Sequence, residues 1–167
     1  MTQNSAKSIK EFYLKDLVAT RNLARELSCL LSTGDILTFQ GNLGAGKTEF
    51  CRAIIHALGY NEDVPSPTFN LVQTYEPQID DFDKPSVWHM DLYRLDNPED
   101  VFELGIEDGF DTAISLIEWP QRMGKYLPSE RLQIFLSMDD DEGARHITFK
   151  GSDYWRVRLN KLELPNA

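Results

Sequence analysis

An eight-residue glycine-rich segment, GNLGAGKT at positions 41–48, constrains this chain more than any other feature. It satisfies the pattern G-x-x-x-x-G-K-[ST] in full, which is typical of a loop that wraps around a phosphate chain. Its three glycines allow a tight turn and a close approach of the backbone because they carry no Cβ. Successive amide groups can then point into one concavity, to which the following helix adds the positive end of its dipole. The motif therefore requires a strand before it and a helix after it.

Both flanking elements are readable in the sequence. The apolar segment 35–40 predicts a short strand, and segment 47–58 predicts a helix whose apolar side chains share one face. Within the motif, Lys47 is expected to neutralise the β- and γ-phosphates, and the Thr48 hydroxyl to bind Mg²⁺. The predicted chemistry is the binding of ATP with Mg²⁺.

The rest of the chain predicts strands with helices between them, which favours an α/β domain with a mixed sheet flanked by helices. The 167 residues contain no internal repeat and no Gly/Ser linker, so one domain, 1–167, is expected, with flexible termini at 1–8 and 160–167. Asp16 and Asn97 are candidate helix caps. Further strands are expected at 9–14, 69–75, 87–91, 113–118, 132–137 and 146–150, the last two as a hairpin, and further helices after Asp16 and at 98–104.

The composition excludes several other classes of protein. Acidic residues outnumber basic ones by 27 to 17, a net charge of −10, so the chain lacks the overall basic character of a protein that binds nucleic acid by itself. No apolar run is long enough to span a membrane, and the polar N-terminus does not resemble a secretory signal, so a cytoplasmic location is expected. Cys29 and Cys51 are far apart and outside any CxxC pattern, so we interpret them as reduced, half-buried thiols.

Two carboxylates stand at the ends of apolar segments. Asp91 ends the segment VWHMD, and Glu118 ends ISLIE. In open α/β sheets, ligands bind at the carboxyl ends of the strands. These two acids are therefore candidates for holding the metal's water shell and orienting a water molecule.

Other classes of phosphate-loop protein require further motifs or segments in the sequence. The segments 140–143 and 160–163 resemble the D-x-x-G and N-K-x-D motifs of a GTPase, but the gap between them is too short for the intervening strands and helix. Guanine specificity is therefore not expected. A small-molecule kinase needs an arginine-bearing lid. The arginines here are dispersed, which weakens this alternative and leaves it open.

Five segments taken together, GNLGAGKTEF, VPSPTFNLVQTYE, VWHMDLYRL, FELGIEDGF and LIEWPQRMG, resemble the TsaE (YjeE) family of bacterial ATPases. The resemblance extends from about residue 16 to residue 158, with all motifs in family order. It implies a role in making N6-threonylcarbamoyladenosine at position 37 of tRNA. In that pathway the TsaB–TsaD pair transfers the modification, and a TsaE protein binds this pair and hydrolyses ATP. The partner implied is thus the TsaB–TsaD complex, with tRNA contacted through it.

The resemblance also implies roles for individual residues. Glu118 resembles the acid on the metal's water shell, beside Thr48, and Asp91 an acid that orients water or couples to a switch. Thr20 corresponds to a position near the nucleotide base. The implied switch or partner residues are Ser66, Thr68 and Trp119, and the implied nucleotide-binding residues are Thr20, Asn42, Leu43, Gly44, Ala45, Gly46, Lys47, Thr48 and Glu49.

Two positions depart from the family pattern. Asn42 replaces the usual Asp, a mild change since the position contributes mainly its backbone. Glu49 replaces a common Thr, and a negative charge close to the phosphates would weaken nucleotide affinity. We therefore expect the Glu49 side chain to point away from the phosphates and to favour the first turn of its helix.

Three functions remain open on sequence grounds. The leading one is an ATPase, slow alone and stimulated by TsaB–TsaD, with Lys47, Asp91 and Glu118 as its catalytic residues. The alternative is a phosphate-loop kinase of a small hydroxylated metabolite. The third is a nucleotide-sensing module without catalysis.

Overall fold

The computed structural model describes residues 6–164 of the chain. Its strands follow the predicted order along the chain. The strands are β1 (Lys7–Leu14), β2 (Ile36–Gln40), β3 (Val72–Tyr75), β4 (Val87–Asp91), β5 (Ile114–Glu118), β6 (Leu132–Met138) and β7 (Arg145–Gly151). The helices are α1 (Leu17–Ser28), α2 (Lys47–Ala57), α3 (Ile106–Thr112) and α4 (Asp153–Leu159), with 3₁₀ segments at Pro98–Leu104 and Pro120–Tyr126.

These strands form one seven-stranded mixed sheet in the order β1-β7-β6-β2-β5-β4-β3. Strands β6, β2, β5 and β4 are parallel to one another. Strand β7 pairs antiparallel with β6 and β1, and β3 pairs antiparallel with β4. The strand that leads into the glycine-rich loop therefore lies in the middle of the parallel part. The carboxyl ends of β2, β4 and β5 meet at one edge of the sheet, and this edge carries the candidate site.

Apolar side chains cover both faces of the central strands. On one face, the apolar sides of α1 and α2 pack against β2, β5, β6 and β7 in the larger core cluster. On the other, α3 and the two 3₁₀ segments cover β4 and β5. Strand β2 shows the alternation, since Leu37 and Phe39 belong to the first cluster and Ile36 to the second. The predicted α/β class, with a mixed sheet flanked by helices, is confirmed.

Local sequence signals predicted several features of the helices and strands correctly. The Asp16 carboxylate accepts a hydrogen bond from the Ala19 amide at 2.8 Å, so Asp16 caps α1 as expected. Asn97 forms a capping box with Asp100. Strands β6 and β7 form the predicted hairpin.

Other expectations need correction. Strand β3 begins at Val72 rather than at residue 69, because Leu71 has a left-handed backbone (φ 63°) that interrupts an extended strand. Neither α3 nor α4 was expected. Cys29 is exposed and Cys51 is buried, so neither thiol is half-buried, although both are free.

The ends of the described chain are part of the fold. Residues 1–8 were expected to be flexible, but Lys7 and Ser8 pair with Gly151 and Lys150 of β7. Leu162, within the expected flexible segment 160–167, is buried in the larger core cluster. The remaining parts of these two expectations, 1–5 and 165–167, lie outside the described residues.

Candidate functional site

The glycine-rich loop runs from β2 into α2. Gly41 passes close to β6, since a Cβ on it would lie 2.4 Å from the carbonyl oxygen of Leu136. Gly46 precedes α2 with a left-handed backbone, φ 101°. The first hydrogen bond of the helix joins the Phe50 amide to the Gly46 carbonyl at 2.9 Å. The amides of the preceding helix residues, Lys47 to Glu49, therefore have no helical carbonyl to bind, and they remain available as donors at the positive end of the helix.

The Lys47 side chain lies over the loop. Its Nζ donates hydrogen bonds to the carbonyl oxygens of Gly41 at 2.7 Å and Asn42 at 2.9 Å. The ammonium also stands 4.3 Å from the centre of the Trp119 ring, a cation–π distance. Burial lowers the pKa of Lys47, while the negative charges of Glu118 and Asp91 oppose that shift. A cation is thus held, partly desolvated, at the mouth of the loop.

Glu118 connects the loop to the core through its two oxygens. Oε2 accepts a hydrogen bond from the Thr48 hydroxyl at 2.9 Å. Oε1 accepts one from His89 Nε2 at 2.8 Å, and this pair is almost fully buried, with 0% and 2% of the side chains exposed. A buried polar group needs such hydrogen-bond partners to offset the loss of its contacts with water. Thr48 and Glu118, the two expected metal residues, are therefore in direct contact, and His89 is a partner of Glu118 that sequence reasoning missed.

Cys51 lies beside this pair. One ligand atom from each of Cys51, His89 and Glu118 falls within 4.8 Å of the others. Burial, followed by the charges of Glu118 and Asp91, raises the pKa of the Cys51 thiol well above its ordinary value. A metal thiolate requires loss of that proton, which these surroundings oppose. We interpret the three side chains as a buried polar cluster next to the glycine-rich loop.

Asp91 makes a separate connection, to the loop between α2 and β3. Its Oδ2 accepts a hydrogen bond from the Thr68 hydroxyl at 2.9 Å, and Oδ1 accepts one from the Tyr93 amide at 3.1 Å. The Ser66 and Thr68 hydroxyls lie 2.6 Å apart. In the register of the sheet, Asp91 stands directly opposite Glu118. The two acids thus end neighbouring strands, as predicted, and each binds a different loop.

The side chains of Glu49 and Thr20 make their polar contacts away from the glycine-rich loop. The Glu49 carboxylate pairs with Arg21 at 3.2 Å and with Arg52 at 2.5 Å, so its charge is taken up between α1 and α2. Thr20 is buried in α1, and its hydroxyl donates to the Asp16 carbonyl oxygen at 3.2 Å. Within residues 6–164, no hydrogen bond joins Thr20 to the glycine-rich loop.

Arg145 is a further residue that sequence reasoning missed. Its Nε donates to the carbonyl oxygen of Ala45 at 2.9 Å, from a position 100 residues away in the chain. It thereby ties the first residue of β7 to the glycine-rich loop. At the loop tip, Leu43 is 76% exposed, so it offers its backbone rather than its side chain. No spacing rule connects Arg145 with the motif, because the contact depends on the β6–β7 hairpin.

The family model described as "Threonylcarbamoyl adenosine biosynthesis protein TsaE" matches residues 14–147 of this sequence. The chain belongs to the TsaE family. The resemblance drawn from the five segments is therefore confirmed, and the site described above is that of a TsaE family member.

Individual relatives agree with this assignment. A protein of Rickettsia bellii named tRNA threonylcarbamoyladenosine biosynthesis protein TsaE is 39% identical over 132 residues, 77% of this chain and 88% of the relative. A Bacillus subtilis protein with the same name is 34% identical over 131 residues, 78% of each chain. The crystal structure of Bacillus subtilis YdiB superposes with a TM-score of 0.77 at 28% identity, covering 96% of this chain and 97% of that one. The described residues include no helix with the length and apolar character that crossing a membrane requires.

Proposed function

We propose that this TsaE family member binds ATP with Mg²⁺ and hydrolyses it, as an accessory protein of tRNA N6-threonylcarbamoyladenosine formation in the cytoplasm. The observation that carries the proposal is the hydrogen bond from Thr48 to Glu118 at 2.9 Å. It joins the hydroxyl of the glycine-rich loop to a carboxylate at the end of the neighbouring parallel strand. This is the arrangement expected where a phosphate loop and a strand-end acid share one metal ion.

The residues present fit a magnesium ion. Mg²⁺ prefers oxygen ligands, and Thr48 and Glu118 offer a hydroxyl and a carboxylate side by side. When bound, Mg²⁺ neutralises charge on the β- and γ-phosphates. Thr48 and Glu118 would hold it, directly or through its water shell. His89, by binding one oxygen of Glu118, leaves the other oxygen directed at Thr48.

The other residues of the site would each have a separate role around the phosphates. The loop backbone, Asn42 to Thr48, would surround the phosphate chain, and Lys47 would exchange its carbonyl partners for phosphate oxygens. Asp91, through its hydrogen bond to Thr68, is suited to couple the state of the site to the Ser66–Thr68 segment. We assign Glu118 to the metal and Asp91 to water orientation and this coupling. Trp119 covers Lys47 and would move with it.

The proposed partner is the TsaB–TsaD complex, with tRNA reached through that complex. The net charge of −10 supports indirect contact with tRNA, because phosphates repel an acidic surface. Hydrolysis in the isolated protein is expected to be slow. The exposed side chain of Phe69, 82% accessible, lies next to Thr68 in the chain and is a candidate contact for the partner.

The decisive experiment measures phosphate release from Mg·ATP by the purified protein alone and with TsaB–TsaD. We expect a low basal rate and strong stimulation by the pair. The variant Glu118→Gln should retain nucleotide binding, measured by calorimetry, and lose hydrolysis. A full rate without the pair, or no response to it, would contradict the proposed role.

The same assay separates the other candidate functions. Transfer of labelled phosphate to a metabolite rather than to water would support a kinase. If no hydrolysis occurs with or without the pair, and Glu118→Gln leaves cellular function unchanged, the protein is a nucleotide-sensing module. Thr48→Ser, which keeps the hydroxyl, serves as the control that should remain active.

A further inference from the structure

A second cavity lies at the opposite edge of the sheet from the glycine-rich loop. It has a volume of about 430 Å³. The loop follows the carboxyl end of β2, whereas this cavity is lined by the start of β6, which runs parallel to β2. Lys7 and Gly151, which pair between β1 and β7, close the same edge. The cavity extends along β6 as far as Phe135, which pairs with Gln40 just before the loop, but none of the residues of the glycine-rich loop lines it.

The lining of this cavity is basic although the protein is acidic. Four cationic side chains, Lys7, Arg131, Lys150 and Arg156, border it, and Asp153 is the one acid on its lining within residues 6–164. Asp153 pairs with Arg156 at 2.6 Å but is 84% exposed, so solvent screens the pair. Against a net charge of −10, this concentration of positive charge is a local exception. Clefts lined by one sign of charge concentrate ions of the opposite sign.

Arg131 supplies a second, independent observation. One terminal nitrogen of its guanidinium donates to the Pro128 carbonyl oxygen at 2.6 Å, which orients the group. Its Nε is buried and has no hydrogen-bond partner within the described residues. Burial also lowers the pKa of Arg131. A buried guanidinium N–H without a partner is costly. An anion in the cavity that Arg131 lines would offset the charge of this partly desolvated guanidinium.

Neutral donors complete the cavity. The lining includes Gln133 and the hydroxyl residues Ser129 and Ser152. The Ser152 hydroxyl donates its proton to Glu130 at 2.7 Å, whereas Gln133 and Ser129 can donate to a phosphate oxygen. The Lys150 ammonium lies 4.7 Å from the Phe135 ring centre, a contact that holds the lysine at the cavity wall. Several fixed donors around one volume match the oxygens of a phosphate group better than a single carboxylate.

We propose that this cavity, bordered by Lys7, Arg131, Lys150 and Arg156, is a second anion site that binds a phosphate group. The group belongs to a small phosphorylated molecule or to the backbone of a nucleic acid. The site does not depend on the proposed ATPase activity, since no residue of the glycine-rich loop contributes to it. An acidic protein would in this way carry one basic position for a phosphate-bearing ligand.

The test uses the full-length protein with Lys47→Ala, which weakens phosphate binding at the glycine-rich loop. Pyrophosphate is titrated by calorimetry, and a fluorescein-labelled decamer of uridine RNA is titrated by anisotropy. The double variant Lys7→Gln/Lys150→Gln removes two cavity cations that are not buried in the core. The matched control, Lys15→Gln/Lys161→Gln, removes the same charge at exposed positions outside the cavity.

We expect binding to weaken at least 10-fold in the cavity variant and to stay within about twofold in the control. If RNA is the ligand, the slope of log affinity against log salt should also fall by about 1.4, for two lost phosphate contacts. Loss with pyrophosphate alone would identify a small phosphorylated ligand, and loss with RNA a nucleic-acid backbone; each result supports the site. Absence of binding with both probes, or equal losses in the two double variants, would overturn it.

Discussion

The Lys47 ammonium stands 4.3 Å from the centre of the Trp119 ring, between the glycine-rich loop and the end of β5. Trp119 reaches this position through a left-handed backbone, φ 56° and ψ 49°, which is uncommon for a non-glycine residue. The Tyr93 ring also packs against the indole, with ring centres 4.9 Å apart. The lysine expected to bind phosphate is therefore also the cation next to an indole.

This contact makes Trp119 a reporter of nucleotide binding. When Lys47 moves to phosphate oxygens, the field at the indole changes, so tryptophan emission should change on addition of Mg·ATP. Trp119→Phe should abolish that change. The matched variant Trp88→Phe, in β4 on the opposite face of the sheet from Cys51, should keep it. An unaltered signal in Trp119→Phe would mean that the contact with Lys47 does not respond to nucleotide.

The lowered pKa of Lys47 predicts a pH dependence. Since only the protonated amine neutralises phosphate, affinity for ATP should fall as pH rises, and it should begin to fall below the ordinary lysine value of 10.5. Bound phosphate favours the charged amine, so binding at alkaline pH should take up a proton. Calorimetry in two buffers of different ionisation enthalpy measures that uptake. Lys47→Arg, whose guanidinium stays charged, should show none, and uptake in that variant would point to another group.

His89 is expected to position Glu118 without touching the substrate. His89→Leu should lower kcat for ATP hydrolysis by about 10- to 100-fold and raise the Mg²⁺ concentration required, with a smaller effect on KM. His89→Gln, whose amide can still donate to Oε1, should recover most of the activity. Circular dichroism checks the fold, because the change to Leu leaves a buried carboxylate with one fewer partner. Equal losses in both variants would indicate a purely structural role.

Two loop glycines should differ in their tolerance of alanine. A Cβ at Gly41 would lie 2.4 Å from the Leu136 carbonyl oxygen, whereas one at Gly44 would meet nothing within 4 Å. Gly41→Ala should therefore lower the free energy of unfolding by about 3 kcal/mol through overpacking. Gly44→Ala should cost about 1 kcal/mol, for the strain of its φ of 82° alone. Urea denaturation measures both, and equal costs would contradict the proposed crowding.

Sequence reasoning succeeded where the deciding interactions are local. The Asp16 cap acts within one helical turn, and Gly41 to Thr48 are consecutive, so residue type and spacing carried the information. Strand ends were also readable, since Asp91 and Glu118 interrupt apolar segments. Sequence reasoning was less successful for α3 and α4, because these are short helices of seven residues whose stability depends on packing. It also overextended β3, because nothing in the sequence marks Leu71 as left-handed.

By itself, the sequence determined the glycine-rich loop between a strand and a helix, the two strand-end acids and the family, because each depends on residues close together in the chain or on motifs in a fixed order. Only the tertiary structure decided that His89 binds Glu118, that Arg145 binds the loop, and that four cations border a cavity at the far edge of the sheet. These pairs are brought together by strand order and register. Spacing along the chain does not encode such contacts, since they arise from how the sheet assembles.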